Sequence, residues 1–319
     1  MPRRSPRPHH PPARPRRPSA AAGPGRVVGV EAGSDLAHYL AEAFPKIGSV
    51  RQIRRLLSEG RCRVNGVLET YGSRRLNRGD VVQFRPPAQQ VGKPVTTRFE
   101  PARLLFDHPD MLAYDKPPRL AVTPTEGKTW DLLHLLRSQF GPLLPVHRLD
   151  ADTSGVVVLA RTPAAQARLE EQFRSRTVSK RYLALVRGHP KDAGERRGYL
   201  RCIDTQPGFE KWGSAGGPGS VYARTTWTVR ERYRHGSLLE VEPHSGRTHQ
   251  IRIHMADIGS PLYGDRLYGD RSDPVDVPRQ MLHAWRLTLP HPDGSQGLVL
   301  KADEPEDFIE ACRKVRSLR

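Results

Sequence analysis

Asp150 follows His147, Arg148 and Leu149 and precedes Ala151-Asp152-Thr153-Ser154-Gly155, a polar turn that runs straight into Val156-Val157-Val158-Leu159-Ala160. That apolar run is short, β-branched and uninterrupted, which is the pattern of a buried strand. A carboxylate at the mouth of such a strand is rigidly placed. With a reference pKa of about 3.9 it is ionised at neutral pH unless burial raises that value, so it can serve as nucleophile or base. A nearby guanidinium would oppose the rise, and its planar fork can grip the carboxylate while leaving one oxygen free.

Arg252 is the first candidate for that guanidinium, with Arg247 the alternative. Thr248 is expected to cap a helix running through about Ile258, with Gly259 at its end. Arg252 then sits near the helix start, one turn from Thr248 and His249. On the segment Ser179–Gly188, read as a strand, Lys180, Tyr182 and Ala184 share one face. A flat ring there could stack on an extruded base, worth ~1–3 kcal/mol by substitution; read alone, Tyr182 would be an ordinary core or sheet-surface aromatic. His249 and His254 are five apart, which is wrong for a helical metal pair, and His147, His244 and His283 lack Cys or carboxylate partners at ligand spacing. No metal is expected, and structural hydrogen bonding is the expected role of these histidines.

The elements that would carry these residues fall into three segments. Residues 1–33 are dominated by Pro, Arg, Ala and Gly, with Glu31 the only acid. Such a segment buries too little apolar surface to offset its ordering entropy, so a disordered basic tail is expected. Residues 34–92 read as a small α/β module. Ser34 or Asp35 can cap a helix bearing Leu36, Tyr39, Leu40 and Phe44, and Ile53, Leu56 and Leu57 face inward on a second helix whose Arg51, Arg54 and Arg55 face outward. Gly60 stops that helix, Arg61 to Val67 enters an Asn65-Gly66 hairpin, and Val81–Phe84 forms a last strand. Pro86, Pro87 and the polar stretch to Thr97 read as a linker. Residues 100–319 are strand-rich with a few helices and no regular βαβ alternation, so an α+β domain with a mixed, largely antiparallel sheet is expected. The Gly-rich piece from Gly208 to Gly219 reads as a loop.

At 319 residues the chain can hold one sizeable core and a smaller module. Its formal net charge of +18 points to a polyanionic partner, since basic surfaces gain affinity by releasing condensed counterions. Three scattered cysteines, Cys62, Cys202 and Cys312, make neither a disulfide framework nor a zinc site, which fits a reduced, cytoplasmic setting. No apolar run approaches the ~18 residues a membrane helix needs, and the N-terminus lacks the apolar stretch of a secretory signal.

Four pieces in register give the larger segment an identity. Leu112-Ala113-Tyr114-Asp115-Lys116-Pro117-Pro118 comes first, then His147 to Gly155, then Ser179-Lys180-Arg181-Tyr182-Leu183-Ala184-Leu185-Val186-Arg187-Gly188, then Ser245-Gly246-Arg247-Thr248-His249-Gln250-Ile251-Arg252-Ile253-His254. Leu282-His283-Ala284 and His291-Pro292 complete the pattern. Together they resemble the RluA-type pseudouridine synthases over roughly residues 100–300. The order of the smaller module resembles the S4 RNA-binding domain, on Gly60, Arg61, Arg63, Val64, Asn65 and Gly66; Cys62 stands where valine is usual, and Lys46-Ile47-Gly48-Ser49 departs somewhat from the usual approach to the second helix.

The resemblance implies a pseudouridine synthase that isomerises uridines in structured RNA, with 23S ribosomal RNA the expected substrate. It implies Asp150 as the catalytic carboxylate, Arg252 as its paired arginine, Tyr182 as the stacking ring and Arg148 reaching toward the space the target base vacates. The uridine must leave its stack, because C5 and the glycosidic bond are inaccessible in a paired helix. Isomerisation needs no redox step, hydrolysis or phosphate, so no cofactor is implied. Arg51, Arg54, Arg55, Arg61 and Arg63 are the expected RNA contacts of the smaller module, and a monomer with no obligate protein partner is expected. Two other readings carry distinct expectations: a transfer-RNA enzyme of the same chemistry, and a non-catalytic RNA-binding factor free to lose Asp150, Tyr182 or Arg252.

Overall fold

The computed structural model describes residues 26–29, 35–44, 49–58, 60–84, 98–124, 130–206, 209–269 and 273–318, in two units that meet between Pro87 and Ala88 in the chain. The rest of the N-terminal tail, Lys46 to Gly48 and the linker beyond Phe84 up to Thr97 lie outside the described residues.

The first unit holds β1 (Arg26–Gly29), α1 (Leu36–Ala43), α2 (Val50–Ser58), β2 (Cys62–Val64), β3 (Val67–Glu69) and β4 (Val81–Phe84). The four strands form an antiparallel sheet in the order β1-β4-β2-β3. β1 corrects the expectation that residues 1–33 are disordered throughout: Val27 and Val28 are adjacent β-branched residues, and they pair with the edge that β4 would otherwise leave open. The Asp35 carboxylate accepts from the His38 amide at 2.9 Å and so caps α1. Leu36, Leu40, Ile53 and Leu57 meet Val64, Val82 and Phe84 in one core, while Arg51, Arg54 and Arg55 are exposed on the outer face of α2. Between β2 and β3, Asn65 and Gly66 both take positive φ (53° and 83°), the requirement of a tight hairpin turn. The Asn65 side chain then accepts from the Val81 amide at 2.8 Å and donates to Asp80 at 2.7 Å, tying the turn to β4.

The second unit runs from a short 3-10 turn at Pro101–Arg103 through β5 (Leu104–Asp107), β6 (Met111–Lys116), α3 (Leu132–Phe140), β7 (Leu144–Pro145), β8 (Ser154–Ala160) and α4 (Pro163–Arg174). It continues through β9 (Ser179–Arg187), β10 (Ala193–Gln206), β11 (Phe209–Ser214), β12 (Val221–Arg232) and β13 (Gly236–Pro243) to α5 (Gln250–Asp257), β14 (Leu282–Leu289), β15 (Leu298–Lys301) and α6 (Glu306–Ser317). The strands form an eleven-stranded sheet in the order β11-β10-β12-β13-β9-β14-β8-β6-β5, with β15 on β14 and β7 on β8. Among the described residues only the β8–β14 pairing is parallel, so the sheet is mixed and largely antiparallel and the unit is α+β. The stretch Gly208–Gly219, read as a loop from its glycines, instead contributes β11, because Phe209 to Ser214 find a full antiparallel partner in β10.

β8 is buried at every position. Val157 and Leu159 pack with Leu112 and Tyr114 of β6 against the leucines of α3, and Val156 and Val158 pack on the other face with Ala165 and Leu169 of α4. The alternation of a strand thus uses both faces of the run, which is why it reads as continuously apolar. Gly155 is required at its start. It has φ +111°, and a Cβ there would stand 2.2 Å from the Ala284 carbonyl oxygen of β14.

Candidate active site

The turn before β8 is held by its backbone. Lys116, fully buried, donates from Nζ to the Ala151 carbonyl at 2.9 Å as well as to Pro117 and Leu120. Arg279, also buried, donates to the Asp152 carbonyl at 3.0 Å and is gripped by Asp307 of α6 through two nitrogens at 2.8 and 2.9 Å. The Thr153 amide closes the turn on the Asp150 carbonyl at 3.0 Å. Behind it, His147 accepts the Val158 amide at 2.9 Å and stacks on Phe173. Burial, reinforced by the charge of Arg279, brings the Lys116 ammonium down to about 7. Two buried cations thus satisfy carbonyls of a loop that would otherwise leave them unpaired.

α5 supplies the partner of Asp150, though not by the expected cap. The helix begins at Gln250, its N-cap is His249 in the left-handed region (φ 56°), and no side chain caps it. Thr248 lies one residue outside. The Gln250 side chain organises this entry instead, accepting from the Ser245 hydroxyl at 2.7 Å and the Arg247 amide at 3.1 Å while donating to the Arg224 carbonyl at 2.9 Å. With these bonds made, the preceding turn is fixed by the side chain of the helix's own first residue, and a threonine cap has no role.

Arg252 donates from Nη1 to Asp150 Oδ2 at 3.0 Å. Its other edge meets Asp265 in a two-point pair, Nε to Oδ2 at 2.7 Å and Nη2 to Oδ1 at 2.9 Å. Asp265 is sealed from solvent and also accepts the amides of Leu267 and Tyr268. Burial alone would push its carboxyl up, but the hydrogen bonds and charge of Arg252 outweigh this and hold it below the usual range. Burial likewise opposes the charge on Arg252, and the two carboxylates overcome that and raise it. Arg247, the other arginine weighed, is exposed and donates to the Tyr222 carbonyl at 3.3 Å.

These groups line an open cleft of about 310 Å³, with Asp150, Arg148, Tyr182, Lys180, His249 and Arg252 among its walls. Asp150 keeps 20% of its side chain exposed, so the carboxylate can still be reached. Tyr182 is half-buried, and burial together with the negative charge of Asp150 raises its hydroxyl. Arg148 is exposed at the cleft wall. The cleft therefore brings together Asp150, Arg148, Tyr182 and Arg252. Arg51, Arg54, Arg55, Arg61 and Arg63 belong to the first unit, where Arg63 donates to the Gly66 carbonyl at 2.9 Å.

Other groups here escape a reading of the sequence. His249 places Nε2 3.8 Å from Asp150 Oδ2, and its Nδ1 lies 2.8 Å from the Tyr268 hydroxyl. The Arg252 guanidinium stands over the Tyr268 ring, 5.1 Å from its centre. Asp265 carried only the weak signal of an aspartate after Gly264. The remaining motif histidines make structural bonds: His244 with the Thr226 hydroxyl at 2.9 Å, His254 with Thr225 at 2.8 Å, and His283 with Ser154 at 2.9 Å. Among the described residues no three His, Cys, Asp or Glu side chains are grouped to hold a metal ion, and no helix is long and apolar enough to cross a membrane.

Residues 110–257 match the family model described as RNA pseudouridylate synthase. The ribosomal large subunit pseudouridine synthase D of Nitrosomonas europaea is 36% identical over 68% of this chain and 66% of its own length. The ribosomal large subunit pseudouridine synthase C of Pasteurella multocida is 30% identical over 90% of this chain and 93% of its own. Among solved structures, the human RNA pseudouridylate synthase domain containing 4 superposes with a TM-score of 0.56 at 23% identity, covering 67% of this chain and 93% of that one, a likeness of fold.

Proposed function

The chain belongs to the RluA-type RNA pseudouridylate synthase family, and from that premise we propose that it isomerises specific uridines of 23S ribosomal RNA to pseudouridine with Asp150 as the reacting carboxylate. The observation that carries the assignment of Asp150 is its 3.0 Å bond to an arginine locked by a second carboxylate, at the wall of an open cleft. That bond engages Asp150 through Oδ2, which leaves Oδ1 to face the substrate. The substrate proposal draws on the names of the Nitrosomonas and Pasteurella relatives, both large-subunit enzymes.

The uridine flips into the cleft and its base stacks on Tyr182, which offsets an unstacking cost of a few kcal/mol. Arg148, exposed at the cleft wall, reaches toward the gap left in the RNA. Asp150 then attacks C1′ or the base, or removes the 2′ proton of the sugar. The N1–C1′ bond breaks, the freed base turns, and a C5–C1′ bond forms as C5 gives up its proton and N1 gains one, while Asp150 leaves the atom it attacked or returns the 2′ proton to the sugar. Atoms are conserved, so the reaction calls for no co-substrate.

The first unit acts as an S4-like RNA-holding module, with Arg51, Arg54, Arg55, Arg61 and Arg63 as its phosphate contacts. The basic outer face of α2 and the Asn65-Gly66 hairpin support that role. The protein works in the cytoplasm as a monomer. Pseudouridine mapping of total RNA from cells with and without this gene, with Asp150→Asn as the rescue control, tests the proposal. Loss of sites in 23S RNA that only the wild type restores is the expected result. Loss confined to transfer RNA would reassign the substrate, and an unchanged map would contradict the reading.

A further inference from the structure

Two tyrosines face each other across the ladder of β10 and β12. Tyr199 and Tyr222 are directly opposed in register, their ring centres 5.7 Å apart and their planes inclined at 71°. They are 54% and 40% exposed. The same strands bury Leu200 and Ala223 on the opposite face against Ile253 of α5, so the sheet already has its core and the tyrosine pair adds nothing to it.

The neighbours of the pair are cations. Strand alternation puts Arg197 and Arg201 on the Tyr199 face of β10 and Arg224 on the Tyr222 face of β12. Glu195 is shared between Arg197 and Arg224, so one carboxylate answers two guanidiniums. The patch also touches the cleft: Arg247, part of the cleft wall, donates from Nε to the Tyr222 carbonyl at 3.3 Å. The rings stand on the sheet face turned away from α5, and Arg247 lies at the edge of β12 where its pairing with β13 has ended. A polymer leaving the cleft over Arg247 therefore reaches the rings by rounding that edge.

We propose that Tyr199 and Tyr222 form a stacking subsite for a single-stranded RNA nucleotide flanking the uridine in the cleft, with Arg197, Arg201, Arg224 and Arg247 facing its phosphates. The subsite rests on the function proposed above only in that the cleft holds a uridine of RNA. Aromatic faces beside guanidiniums suit nucleotides of any sequence, since every base has a π-face and every linkage a charge. The excess of arginine over carboxylate around the rings, in a chain of net charge +18, favours a polyanion over a neutral or basic protein surface.

The full chain carrying Tyr199→Leu and Tyr222→Leu keeps apolar bulk and removes the rings; the Tyr199→Phe, Tyr222→Phe pair keeps them. Binding to a fluorescent single-stranded oligouridine is measured by anisotropy across salt concentrations. The leucine pair should bind about tenfold more weakly, with the salt slope of the wild type, because no charge is removed. The phenylalanine pair should bind as the wild type does. The KM for isomerisation should rise with the leucine pair in the same proportion. Affinity unchanged by the leucine pair overturns the subsite, as does a change in sedimentation with RNA binding intact, which would assign the rings to a protein interface. Ring-dependent binding by a chain that forms no pseudouridine would contradict the enzymatic reading while leaving the subsite standing; an active enzyme indifferent to the rings would do the reverse.

Discussion

Arg252 and Asp265 form a two-point ion pair, 2.7 and 2.9 Å long, that occupies two of the three guanidinium nitrogens and aims the third at Asp150. Asp265 thereby decides where Arg252 points without itself facing the cleft. Asp265→Asn should lower the isomerisation rate about a hundredfold by misplacing Arg252 by a fraction of a bond length, with RNA affinity close to that of the wild type. Breaking the buried pair should also cost about 3–5 kcal/mol of stability. Single-turnover kinetics and urea unfolding check the two effects, and a wild-type rate from a folded variant would remove Asp265 from the positioning of the site.

Gly155 offers a backbone test. A methyl group there would stand 2.2 Å from the Ala284 carbonyl oxygen and 2.7 Å from its carbon, in a conformation with φ +111°. Both atoms belong to the backbone of β14, which cannot give way as a side chain can. Gly155→Ala should destabilise the second unit by more than about 1 kcal/mol and reduce activity by moving the mouth of β8. Urea unfolding that matched the wild type would contradict the close approach of the two strands.

Much of this site could be read from residue order, because the signals were local. The Val156–Ala160 run, the Asn65-Gly66 turn and the Asp35 cap each depend on neighbours in the chain, and each forms as its residue types require. What stayed hidden acts across the fold. Arg279 reaches Asp152 from far along the chain, Lys116 reaches Ala151, and Asp265 meets Arg252 only once α5 is docked. Thr248 has the chemistry of a cap, but Gln250 satisfies the preceding turn and leaves the threonine no such role. The glycines between Gly208 and Gly219 suggested a loop, since composition cannot show that β10 waits beside them as a pairing edge.

Acid should unfold the protein through its buried histidines. Burial holds His254 and His283 down to about 4, against about 6.5 in an unfolded chain. Between those values the unfolded state binds protons that the folded state does not, so stability falls as the pH drops from about 6.5 toward about 4. The urea midpoint should therefore fall between about pH 7 and about pH 5 in the wild type, and fall less in a His254→Gln, His283→Asn variant. Equal slopes in the two proteins would show that other groups govern the acid limb.

The basic helix of the first unit makes a separate claim. Arg54 and Arg55 are exposed on α2. Their replacement by alanine should weaken RNA binding and lower the salt slope by about one for each phosphate no longer neutralised. An unchanged slope would take α2 out of the RNA interface.

The central claim is that the carboxylate beside Arg252 carries out the isomerisation. Its most direct test incubates the purified wild type and Asp150→Asn proteins with large-subunit ribosomal RNA from cells lacking the gene, followed by nucleoside mass spectrometry. Pseudouridine should form with the wild type and not with the variant, while the two bind the RNA within a few-fold of each other. Equal turnover by the variant would contradict the account.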